Sequence, residues 1–186
     1  MSVDIPIPKN ARRKALLVVD VQPAFLDDRF NYIVENILQL LNTIKYDCYV
    51  VATFHAEEGS LWDLQQGYTC PEGNVAITIA EIDNVLKPLQ PLIVRKETRS
   101  TFRGDKDVAN FLKQNQVEEV HIVGTQTNDC ILATAFDAFD SGFFTYVIEE
   151  CCRGPTKEFH DAGIKLLRRQ NMTNHSVFNA PADASA

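Results

Sequence analysis

Apolar residues along the chain fall into short unbroken runs, separated by stretches in which they recur every three or four positions. The run from Lys14 to Asp20 is apolar throughout its middle and closed by a carboxylate, the pattern of a strand buried on both faces. Downstream, Tyr32, Ile33, Ile37, Leu40, Leu41 and Ile44 recur at helical spacing, and Tyr49 to Phe54 is again β-branched and apolar. Pro91 to Lys96, Val120 to Gly124, Phe143 to Ile148 and a weaker Met172 to Phe178 supply four further strands. Helical patterns at 105–115, 128–141 and 157–170 lie between them.

Strands alternating with helices of this length form βαβ units, whose right-handed crossovers lay helices on both faces of a parallel sheet. The expected fold class is therefore α/β, a three-layer α/β/α arrangement around a mostly parallel six-stranded sheet in the Rossmann-like order 3-2-1-4-5-6. One segment breaks the alternation. From His55 to about Asn74 the chain carries Gly59, Gly67, Pro71 and Gly73 and reads as a long loop, a candidate lid or pocket wall. Residues 1–13 read as an extended arm, 14–179 as a single domain and 180–186 as a frayed tail.

Composition narrows the partners. The formal charge of −7 repels phosphate backbones and anionic lipid, and no lysine or arginine stripe offsets it, so neither nucleic acid nor membrane is expected. The longest apolar run is too short to span a bilayer, and Met1 to Asn10 lacks the apolar stretch of a secretory signal, which points to the cytoplasm. Five cysteines, Cys48, Cys70, Cys130, Cys151 and Cys152, form an odd set without a C-x-x-C pair, so no disulfide framework or zinc ribbon is indicated. Adjacent Cys151 and Cys152 read as core.

In an open parallel sheet, ligands bind at the carboxyl ends of the strands. Asp20 ends the first strand, Lys96 ends the third, and Gly124 to Cys130 carries the chain from the fourth strand into a helix. Each residue alone has a plain reading: Asp20 as a turn or cap residue, Lys96 as a solvated edge, Cys130 as a buried hydrophobe. An acid, an amine and a thiol on one sheet edge suggest more. A helix N-terminus and a neighbouring ammonium would each lower the thiol's pKa, so Cys130 is expected to be a thiolate at neutral pH.

The segment from Ala15 to Leu26, an apolar strand followed by D-x-Q-x-x-F-L, resembles the opening motif of isochorismatase-like hydrolases. Lys96 to Gly104 is similar to that family's K-x-x-x-S-x-F-x-G, and Gly124 to Ala135 to its G-x-x-T-x-x-C-x-x-x-T-A. The resemblance implies a Cys130, Asp20 and Lys96 triad that hydrolyses the C–N bond of a small amide, ureide or carbamoyl compound through a thioester. It also implies a cis peptide at Thr125–Gln126, with the backbone N–H groups of Gln126 and Cys130 as oxyanion hole. Family members are commonly dimers or tetramers, so a homodimer or homotetramer is expected.

The sequence departs from the family's metal-binding nicotinamidases. Their ligand positions read here as Thr53, His55, Leu61 and Thr69, so one ligand of four survives and neither a metal nor another cofactor is expected. His55 is left as a pocket residue or a structural histidine, while His121, His160 and His175 show no ligand spacing. Pro23, Ala24 and Thr101 also differ from the commoner motif residues. Phe25, Trp62, Phe102 and Thr125 complete the expected pocket. Two other readings remain open: vinyl-ether hydrolysis of the isochorismate type, which needs no thiol, and a non-catalytic binding protein on the same fold.

Overall fold

The computed structural model describes residues 12–27, 31–73 and 77–173. Its centre is β1 (Lys14–Val19), in which every residue from Ala15 to Val19 is buried. Strands β2 (Cys48–Phe54), β3 (Leu92–Lys96), β4 (Glu119–Thr125) and β5 (Phe144–Arg153) join it in a parallel sheet ordered β3-β2-β1-β4-β5. Because side chains alternate across a strand, β1 feeds two separate cores. Leu17 and Val19 pack beneath α4 (Val108–Gln114), α5 (Leu132–Asp140) and α6 (Lys157–Arg169), meeting Leu112, Ile164 and Leu167. Leu16 and Val18 face the opposite layer, where Ile37 and Leu40 of α1 (Asn31–Thr43) and Ile82 and Leu86 of α3 (Ala80–Leu86) cover them.

The three-layer parallel arrangement follows the alternation of the sequence, with differences in detail. The described sheet has five strands. Most of the sixth candidate, Met172 to Phe178, lies outside the described residues, as do residues 1–11 of the arm, His175 and the tail at 180–186. The described part of that candidate makes one parallel bridge, between Thr173 and Val147. β5 runs past its expected end at Ile148 and takes buried Cys151 and Cys152 into the sheet. Helix α3 did not stand out by periodicity, because seven residues give too few turns for a pattern.

The segment after β2 is more ordered than a loop. It contains α2 (Leu61–Gln66), whose N-cap Ser60 accepts a hydrogen bond from the Asp63 N–H. Ala56 and Cys70 exchange backbone hydrogen bonds of 3.0 and 2.8 Å, which close the excursion at its base. A single helix of six residues between glycines is too short to register in an apolar pattern.

At the carboxyl edge, β1 and β4 approach closely. Gly124, with φ of 122°, pairs with Val19, and a Cβ there would fall 2.0 Å from the Val19 carbonyl oxygen. The β4–β5 register also shifts between Ile122 and Gly124. At the opposite edge, Glu119 receives Arg12, Lys14 and His121, and His121 Nδ1 is 2.9 Å from the Tyr46 hydroxyl. Burial lowers the pKa of His121, with Glu119 opposing.

Gly124→Ala should cost roughly 3 kcal/mol or more in denaturant unfolding, since backbone must move to admit the methyl group. Gly142→Ala, also at positive φ but with open space around it, should cost about 1–2 kcal/mol. The His121 network predicts a pH dependence. A histidine held below its ordinary value of about 6.5 binds its proton more readily when unfolded, so stability falls as pH drops below that value. Denaturant midpoints measured across pH should show this slope, and His121→Gln should flatten it.

Candidate active site

Three strand ends build the site. β1 terminates at Asp20, whose φ of 53° turns the chain out of the strand. This left-handed geometry costs a non-glycine residue about 1–2 kcal/mol and is best tolerated by Asp and Asn. Two hydrogen bonds hold it: the Asp20 N–H donates to the Ala52 carbonyl at 2.9 Å, and the Thr125 hydroxyl donates to the Asp20 carbonyl at 2.7 Å. Lys96 ends β3, two strands away, and its stem crosses beside Phe54 with Nζ 5.2 Å from the ring centroid. The ammonium reaches Asp20 Oδ2 at 2.7 Å, the Thr98 carbonyl at 3.2 Å and Cys130 Sγ at 3.5 Å.

Cys130 sits in a π-helical turn, Thr127–Ile131, that follows a cis peptide at Thr125–Gln126 and leads into α5. Helix α6 braces this turn. Gly163 lies so close that a Cβ there would stand 3.0 Å from Asn128 backbone, and Thr127 Oγ1 is 2.8 Å from His160 Nδ1. The segments carrying the three motifs are also tied to each other. Besides the Thr125–Asp20 bond, the Thr101 N–H donates to Thr134 Oγ1 at 3.1 Å, linking the turn after Lys96 to α5.

Above Asp20 and Cys130 opens a cleft of about 110 Å³. Phe25, Phe54, Trp62 and Tyr68 wall it, with Phe25 stacked on Tyr68 at 5.8 Å and Trp62 edge-on to Phe54 at 4.8 Å. Thr125, Gln126 and Asp129 complete the lining. The Trp62 indole N–H donates to the Glu97 carbonyl at 2.6 Å, and Arg99 stacks over the indole while pairing through Nε with Asp129.

Of the residues expected from sequence, Asp20, Lys96 and Cys130 come together, and Phe25, Trp62, Thr125 and Gln126 surround them. His55 and Phe102 do not line this cleft. His55 follows Phe54 on an extended chain, so its side chain leaves by the opposite face, where Nε2 meets Glu57 at 3.2 Å. Phe102 turns into the helix-covered core and packs 6.3 Å from Phe143. Of the family's ligand positions, Leu61 is largely exposed on α2. Among the described residues no cluster of three or more His, Cys, Asp or Glu is arranged to hold a metal ion.

Several contributors were not singled out from sequence. Phe54 at the end of β2 could have been, by its place on the carboxyl edge. Tyr68 and Asp129 reach the cleft only through the course of α2 and the π-helical turn. Gln22 was visible as a motif letter without a role. Fully buried, it accepts from the Phe54 N–H at 2.6 Å and donates to the Phe54 carbonyl at 3.0 Å, so a side-chain amide stands in for a sheet partner.

The electrostatics correct one expectation. Burial pushes the Cys130 thiol well above its ordinary pKa, the Asp20 carboxylate adds to this, and Lys96 opposes it without prevailing. The resting group is a thiol, because a full helix-end effect is a fraction of the cost of burying an anion. Burial likewise raises the Asp20 carboxyl, opposed by Lys96. For Lys96, burial is the largest influence and works to lower the pKa, but Asp20 and Cys130 together outweigh it and leave the ammonium favoured. Asp20 Oδ1 has no hydrogen-bond partner among the described residues.

The family model of the isochorismatase domain matches residues 14–177. An uncharacterized isochorismatase family protein of Bacillus subtilis, YrdC, is 31% identical over 144 residues, covering 74% of this chain and 72% of the relative. Pyrazinamidase of Pyrococcus horikoshii in complex with zinc superposes with a TM-score of 0.73 at 22% identity, covering 87% of this chain and 97% of that one. PnC1 from L. infantum in complex with nicotinate gives 0.74 at 17% identity, covering 87% and 91%. At these identities the two structures speak to the fold. The chain belongs to the isochorismatase family.

The pKa directions predict how Cys130 titrates. Alkylation of Cys130 by iodoacetamide, followed by mass spectrometry across pH, should show a midpoint above the free-thiol value of about 8.5. Asp20→Asn removes the negative charge and leaves Lys96 to pair with sulfur, so its midpoint should fall below that of the native protein. A native midpoint below that of a free thiol would contradict the assignment.

Proposed function

We propose that this protein is a cysteine hydrolase that cleaves the C–N bond of a small amide, ureide or carbamoyl compound through a thioester. The observation carrying the reading is the contact of one buried ammonium with both Asp20 and Cys130, at 2.7 and 3.5 Å, beneath a cleft. A thiol raised in pKa needs a base at the moment of attack, and Asp20 Oδ1 is the oxygen left to serve. The pyrazinamidase of the same fold acts by its name on an amide, which supports this substrate class.

For a primary amide, the Cys130 proton passes to Asp20 as Sγ attacks the carbonyl carbon. The resulting oxyanion is received by the N–H groups of Gln126 and Cys130, each such donor being worth about 3 kcal/mol in a transition state. Asp20 returns the proton to the departing nitrogen, ammonia leaves, and a thioester to Cys130 remains. Water then gives its proton to Asp20 and adds to the thioester. The second tetrahedral adduct expels the Cys130 thiolate, which recovers the proton, and the acid is released. Lys96 stays charged throughout and fixes the carboxylate while that proton moves.

Ammonia release from a panel of small amides, including nicotinamide, maleamate, ureidoacrylate-like and carbamoyl-amino-acid types, tests this directly. At least one member should turn over, and Cys130→Ala should lower its kcat/KM by about 10³-fold or more. Isochorismate hydrolysis that survives Cys130→Ser would overturn the reading, as would silence across the panel together with tight binding of a protein.

A further inference from the structure

Positive charge at the cleft is already matched. Lys96 lies beneath it, paired with Asp20 and in contact with Cys130. Arg99 stands at the mouth, bound to Asp129 and stacked on Trp62. The charged groups that line the cleft itself, Asp20 and Asp129, are both acidic, and the other lining residues are aromatic or uncharged.

We propose that the cleft selects by charge, accepting small amides that are neutral or cationic beyond the reacting group and rejecting those that bear a carboxylate, with Asp129 setting the preference. The inference rests on the amide-hydrolase reading above and narrows its substrate class. A substrate carboxylate would enter beside two carboxylates whose charges Lys96 and Arg99 only balance, with no cation left over for it, in a space of about 110 Å³ that strips much of its hydration shell. Lys96 already commits its three N–H donors to Asp20, Thr98 and Cys130, and the charge of Arg99 is balanced by Asp129. The aromatic walls, Phe25, Phe54, Trp62 and Tyr68, offer apolar surface that does not solvate an anion. The place provided for negative charge is the oxyanion position, where charge exists only during reaction. The acid formed by hydrolysis carries the charge the cleft rejects, so it leaves readily.

Iodoacetamide and iodoacetate test this without needing turnover, since they differ only in an amide against a carboxylate. Their rate ratio at Cys130, divided by the same ratio for glutathione, should favour iodoacetamide by about 10²-fold, and Asp129→Asn should reduce that preference at least several-fold. A normalised ratio near one, or a preference for iodoacetate, overturns the inference. In turnover, crotonamide should exceed fumaramate, which carries a carboxylate where crotonamide has a methyl group on the same trans double bond, and the reverse order also overturns it. If no amide is hydrolysed, the catalytic reading fails while the alkylation ratio still decides the question of charge.

Discussion

Asp20 and Lys96 lie 2.7 Å apart with side chains 1% and 0% exposed. Removing either charge from water costs several kcal/mol, and the other charge is the main compensation at this depth. The pair is therefore a constraint on the fold. It requires β1 to stop where its last carboxylate can face sideways, which the left-handed turn at Asp20 achieves. It requires β3 to send a long stem across β2, and Phe54 supplies the apolar surface along which that stem runs. Substituting one partner would leave the other buried without its counter-charge, a larger disturbance than loss of a surface ion pair.

The same pair fixes the state of the thiol. A neutral ion pair leaves no surplus positive charge to hold a sulfur anion, so the thiol form of Cys130 is favoured. The scaffold around it is arranged to keep distances rather than to supply charge. Thr125 holds the Asp20 carbonyl, Thr134 holds the turn after Lys96, and α6 braces the π-helical turn from behind. Gln22 acts similarly at β2, pairing with both backbone groups of Phe54 and fixing the ring that walls the cleft.

Much of this was legible in the sequence because it depends on local pattern. An apolar run ending in Asp20, a second ending in Lys96, and a glycine-initiated turn ending in Cys130 place three groups on one edge by strand direction alone. What depended on burial was not legible. The thiol's charge state turns on how far the helices enclose it, which no spacing reveals. Tyr68 reaches the cleft because Ala56 and Cys70 close the excursion that carries α2 back over the sheet. His55 is instructive in the other direction: alternation along β2 already sets Phe54 and His55 on opposite faces, so one in the cleft excludes the other.

Trp62 is the sole tryptophan of the chain and forms part of the cleft wall, with Arg99 over one side of the indole and Phe54 against it. Its excited state is sensitive to a neighbouring cation and to water at the ring. Any molecule that enters the cleft, or any motion that parts Arg99 from Asp129, alters both. The protein thus carries a built-in optical reporter in the wall of its cleft, and selective excitation of that indole would follow occupancy in the unmodified chain, with no label and no competing signal from a second tryptophan.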